Sequence, residues 1–83
     1  GNGELILLCE DDEDVRAFSS ESLNGLGYRV IQASDAASAL DLLRANDDVR
    51  LLFTDVILPG GMTGADLAEQ VRKLKPDLKV LFT

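Results

Sequence analysis

Three carboxylates occupy positions in this chain where chemistry could be done. Glu10 and Asp11 follow the apolar run Leu5-Ile6-Leu7-Leu8-Cys9, and Asp55 follows Val49-Arg50-Leu51-Leu52-Phe53-Thr54. Mostly unbroken apolar runs of this length suit parallel strands buried on both faces. A residue just after such a strand lies at the carboxyl edge of the sheet, where open α/β folds bind their ligands. If the two strands are neighbours, Glu10, Asp11 and Asp55 converge. Close carboxylates repel one another and hold their protons more tightly. A cation relieves that repulsion. The chain has no His and a single Cys, so the available ligands are oxygens. Oxygen ligands favour a hard ion, and Mg²⁺ fits best, held by one or two carboxylates and several waters. Such an ion can clamp a phosphoryl group. An aspartate carboxylate can itself be the nucleophile, forming an acyl phosphate.

The other notable residues have plainer readings. Asp12, Glu13 and Asp14 suit a solvated helix start, where acids match the helix dipole. Pro59, Gly60, Gly61 and Gly64 read as turn residues. Cys9 reads as a small buried hydrophobe. Thr54 packs or hydrogen-bonds within its strand, and Tyr28 packs on an edge strand.

The elements that must position the carboxylates can be read in chain order. The first strand is Glu4–Cys9. The first helix begins near Asp12, with Val15, Phe18, Ser22, Leu23 and Leu26 on one face and Gly27 as its αL stop. Tyr28–Ala33 mixes polar and apolar residues, which places it at a sheet edge. Ser34 or Asp35 caps the second helix, whose buried face is Ala36, Ala39, Leu40 and Leu43, and which runs out near Asn46. The third strand ends at Asp55. Thr63 caps the third helix, with Asp66 at the capping-box position and Leu67, Val71 and Leu74 as its stripe. Pro76 stops that helix, and residues 79–83 form a fourth strand. Alternating strands and helices with short loops predict an α/β parallel sheet with right-handed crossovers, β-α-β-α-β-α-β.

Composition narrows the function. The chain has 83 residues, room for one domain, and its formal net charge is −7. A domain of this size is expected to be marginally stable. The acidic balance argues against nucleic acid or an anionic membrane as partner. One Cys excludes an intrachain disulfide and a thiolate zinc cluster. No run is long enough to span a bilayer. The N-terminus has no basic segment leading into an apolar one, so a cytoplasmic location is expected.

The chain resembles a response-regulator receiver domain of two-component signalling. Leu5-Ile6-Leu7-Leu8-Cys9-Glu10-Asp11-Asp12-Glu13-Asp14-Val15-Arg16 looks like the family's opening. Leu52-Phe53-Thr54-Asp55-Val56-Ile57-Leu58-Pro59 looks like its phosphoacceptor strand and turn. Gly60-Gly61-Met62-Thr63-Gly64 resembles a loop variant common in receivers attached to hybrid sensor kinases. The resemblance implies a flavodoxin-like doubly wound sheet with strand order 2-1-3-4-5. It implies that Asp55 is the phosphorylated aspartate and that Glu10 and Asp11 hold Mg²⁺, with the backbone carbonyl of Ile57 as a further ligand. The phosphoryl group would come from a histidine kinase or phosphotransfer protein. The module would assist its own phosphorylation without being an enzyme. The chain departs from the family pattern at its end. Residues 1–83 read as a partial receiver lacking the last helix-strand-helix elements. The family's switch hydroxyl falls just past Thr83, or on it.

Two other readings compete. A haloacid-dehalogenase-like phosphatase also places an Asp after an apolar first strand, but that family wants Asp-x-Asp, and Asp11 is followed two residues on by Glu13. A receiver remnant that only binds a protein or dimerises needs no phosphorylation. Such a dimer is expected at the fourth strand, where Val80, Leu81 and Phe82 would stand at a sheet edge with unpaired backbone groups.

Overall fold

The computed structural model describes residues 2–55 and 63–82. The elements alternate as read from the sequence: β1 (Leu5–Cys9), α1 (Glu13–Gly25), β2 (Arg29–Ala33), α2 (Ala36–Ala45), β3 (Val49–Thr54), α3 (Gly64–Leu74) and β4 (Lys79–Phe82). The strands form one sheet in the order β2-β1-β3-β4, and every pairing is parallel. β1 and β3 are therefore neighbours, as the convergence of the carboxylates requires. Their ends are in register, with Cys9 opposite Thr54.

Local chemistry starts the helices where the sequence predicts. Asp12 Oδ1 accepts from the N–H groups of Asp14 and Val15 at 2.9 and 3.0 Å. Asp35, rather than Ser34, caps α2 by accepting from Ser38 N–H at 2.7 Å. Thr63 and Asp66 close a reciprocal capping box before α3. Gly27 adopts a φ of 92° after α1, a conformation that costs other residues a steric penalty.

One face of the sheet carries the main core. Leu5, Leu7 and Cys9 of β1 pack with Leu52 of β3, with Ala36, Ala39, Leu40 and Leu43 of α2, and with Leu67 and Val71 of α3. The buried stripe of α3 differs from the expected one. It is Gly64, Leu67, Ala68 and Val71, an i, i+3, i+4, i+7 pattern, while Leu74 ends the helix 44% exposed. Gly64, read as a turn residue, is instead the buried first residue of α3.

The other face corrects the reading of α1. Phe18 is 72% exposed and Leu26 64%, and Val15 is also exposed. Of the expected face only Leu23 is half-buried; Arg16, Ser19 and Ser20 turn inward beside it. Ser20 is buried and accepts a hydrogen bond from Gln32 Nε2 of β2 at 3.1 Å. The physical reason is size and satisfaction. A small hydroxyl lets helix and strand approach closely, and its polarity is matched by a partner. Further along the same face, Leu51 and Phe53 of β3 are half-buried, and Leu81 of β4 is half exposed.

Candidate metal and phosphoacceptor site

The carboxyl edge of the sheet is assembled by main-chain bonds. Asp55 N–H donates to Cys9 O at 3.3 Å, and Glu10 N–H donates to Ala33 O at 3.0 Å. The ends of β3, β1 and β2 are thereby tied together. Thr54, the residue before Asp55, is fully buried, and its hydroxyl donates to Asp55 O at 3.1 Å. The Thr54 side chain is thus spent locally, as its packing role implied. Cys9 is fully buried beside it, and burial pushes its thiol up to about 11.

Glu10, Asp11 and Asp55 do come together. Each offers one carboxylate oxygen, and these atoms lie within 4.8 Å of one another. Among the described residues they are the one such acidic group. Glu10 is buried, Asp55 half-buried and Asp11 exposed. Oε2 of Glu10 is buried without a hydrogen-bond partner. Burial first, and the Asp55 charge second, raise the Glu10 carboxyl above the usual carboxylate range. An orphaned buried carboxylate oxygen facing two more carboxylates is costly without a cation. The residues present therefore fit a divalent oxygen-bound ion. Ile57, whose carbonyl the resemblance adds to the ligands, lies outside the described residues, as do Pro59, Gly60, Gly61 and Thr83.

The residues read as a helix start behave as one. Asp12, Glu13 and Asp14 are exposed, and Asp12 is consumed as the cap of α1. One contact escaped the sequence reading. Arg16 Nη1 donates to the main-chain carbonyl of Glu10 at 2.8 Å. No periodicity signals such a bond, because it depends on how far the side chain reaches back from its helix. An open hollow at the opposite edge, lined in part by Asp47, Asp48, Lys75 and Lys79, mixes charges of both signs and contains none of the three carboxylates.

The model of the response regulator receiver domain family matches residues 6–83. The chain belongs to that family. Among curated proteins the receiver is similar to the response regulator receiver protein CpdR of Brucella abortus, 40% identical over 77 residues, which cover 93% of this chain and 62% of CpdR. The chain thus spans under two thirds of that relative's length. Among solved structures it resembles the response regulator TrrA of Thermotoga maritima in complex with Mg(2+)-BeF. That match has a TM-score of 0.88 and 28% identity, and it covers 95% of this chain and 67% of TrrA. TrrA has also been solved in complex with the histidine kinase ThkA. There the TM-score is 0.87 at 28% identity, with 95% of this chain and 66% of the other covered. The flavodoxin-like fold and the place of this receiver among two-component signalling proteins follow from the family match. No helix among the described residues is long and apolar enough to cross a membrane.

Proposed function

We propose that this receiver takes a phosphoryl group onto Asp55 from a histidine kinase or phosphotransfer protein. The observation that carries the reading is the meeting of Glu10, Asp11 and Asp55 within 4.8 Å at the carboxyl edge, with one buried oxygen of Glu10 unpartnered. Glu10, Asp11 and Asp55 would hold Mg²⁺, and the family resemblance adds the Ile57 carbonyl as a further ligand. When bound, the ion neutralises charge on the phosphoryl oxygens.

The chain's own residues do the rest. A carboxylate oxygen of Asp55 attacks the phosphorus of a phosphohistidine. The new O–P bond gives an acyl phosphate as the N–P bond breaks, and the electron pair returns to the donor's imidazole. The bond between Asp55 N–H and Cys9 O holds the nucleophile at the strand end, and Glu10 and Asp11 bring ligand oxygens beside it. The module assists its own modification and does not turn over a separate substrate. It works in the cytoplasm and binds neither nucleic acid nor membrane through this domain.

The test is intact-mass analysis after incubation with acetyl phosphate and Mg²⁺. The wild-type chain gains one labile phosphoryl group, and Asp55→Asn gains none. An adduct that persists in Asp55→Asn refutes the assignment.

A second reading concerns the 83-residue chain by itself. Among the described residues β4 pairs only with β3 and stands last in the sheet. Leu81 and Phe82 are exposed on it. An open apolar edge recruits another strand, which supports a homodimer paired through β4.

A further inference from the structure

Glu10 to Asp14 are five consecutive acids, and a guanidinium stands two residues on. Among the described residues Arg16 nevertheless forms no ion pair with any of them. Its Nη1 donates instead to a neutral main-chain carbonyl, that of Glu10, at 2.8 Å in a part-buried setting. Arg16 is on the first turn of α1, and its own N–H bonds to Asp12 O at 2.9 Å. Its side chain runs back toward the helix N-terminus, the direction that helical side chains favour.

The carbonyl it engages belongs to the peptide unit joining Glu10 to Asp11. That unit is planar, so its orientation sets ψ of Glu10 and φ of Asp11 together. Those two angles decide where both carboxylates leave the main chain. The N–H of Glu10 is already held by Ala33 at the end of β2. With Arg16 on its carbonyl, the Glu10 backbone is held from both sides.

We propose that Arg16 is a positioning residue for the acidic site: its bond to Glu10 O holds the Glu10–Asp11 peptide so that both carboxylates face Asp55, and so strengthens Mg²⁺ binding. This rests on the reading of Glu10, Asp11 and Asp55 as a Mg²⁺ site. The role runs through main-chain geometry rather than through charge, and the two make opposite forecasts. A fixed positive charge beside a cation site repels the ion, so removing it by charge alone tightens binding. Losing a bond that orients the ligands weakens it.

The experiment is calorimetric titration of MgCl₂ into the metal-free chain, comparing wild type, Arg16→Met and Arg16→Lys. Hydrogen exchange at the Glu10 amide and the thermal midpoint are read alongside, both without metal. Arg16→Met keeps the apolar stem and loses the donor. It should bind Mg²⁺ about ten-fold more weakly, the loss typical of removing an outer contact to a metal ligand. Its Glu10 amide should exchange faster while its thermal midpoint moves little. Arg16→Lys, which can still donate to the carbonyl, should recover most of the affinity. Unchanged or tighter binding in Arg16→Met overturns the proposal while leaving the metal site standing. A lower thermal midpoint with faster exchange throughout β1 and β3 also overturns it, since the role would then be merely structural. Absence of Mg²⁺ binding in the wild type overturns the site and the proposal together.

Discussion

The N–H of Asp55 donates to the carbonyl of Cys9 over 3.3 Å. That single bond fastens the end of β3 to the last residue of β1, one position before Glu10. The two acidic ends of the sheet cannot drift apart without breaking it. Their proximity is therefore a property of the strand pairing and persists whether or not a cation is bound.

Removing a carboxylate of the proposed metal site should be felt directly. Asp11→Asn and Glu10→Gln are each expected to weaken Mg²⁺ binding by more than about ten-fold, beyond the loss usual for an outer-shell partner. Asp11→Asn should weaken it the more of the two. Calorimetric titration of the metal alone reads this, and unchanged affinity in Asp11→Asn removes the site.

Stability should depend on pH in two windows of opposite sign. The Glu10 carboxyl is raised in the folded state by burial and then by Asp55. The folded chain therefore binds a proton before the unfolded chain does, and stability rises as pH falls through that raised value toward the ordinary 4.5. Asp35 is lowered by its bonds from Ser38. Its contribution is present above the ordinary 3.8 and is lost as pH falls through the depressed value. Thermal melts of the metal-free chain from neutral pH downward should show the rise, and Glu10→Gln should erase it. Saturating Mg²⁺ should oppose the rise, because the ion and the proton compete for one oxygen.

The two flanks of α1 should respond unequally to substitution. Phe18 is large but 72% exposed, so Phe18→Ser should change the stability of this chain by no more than about 0.5 kcal/mol. Ser20 is small, buried and bonded to Gln32. Ser20→Leu should cost about 1–3 kcal/mol by overpacking. Urea unfolding midpoints compare the two, and the reverse order would mean that α1 faces the other way.

Sedimentation equilibrium addresses the β4 edge. The 83-residue chain should show mass increasing with concentration, and Leu81→Lys should suppress it, as charge on an edge strand does. A wild-type monomer at every concentration argues against pairing through β4.

What could be read in advance was local. Asp12, Asp35 and the pair Thr63 and Asp66 cap their helices because a short side chain reaches N–H groups two or three residues away. Glu10 and Asp55 end apolar runs, and in a parallel sheet run ends align. The buried side of α1 was not legible, because hydrophobicity pointed to Phe18 while packing selected Ser20. The inward stripe of Arg16, Ser19, Ser20 and Leu23 keeps the helical spacing but carries mostly polar groups. Each needs a partner that only the assembled fold supplies. The bond from Arg16 to Glu10 O is of the same kind. Leu74 shows the converse, a residue in phase with the apolar stripe but at the last position of α3, where it is left half exposed.

Cys9 is the one thiol in the chain, and it lies fully enclosed in a central strand. Its proton is held to about 11, so at neutral pH little thiolate exists even when a reagent arrives. A thiol-specific reagent can therefore add mass to this receiver only when the middle of the sheet opens. The labelling rate becomes an intrinsic clock for that opening, with no probe to engineer. Because the next residue is Glu10, the same clock should run slower in Mg²⁺, and the ratio of the two rates would report how much of the metal's binding free energy reaches the centre of the fold.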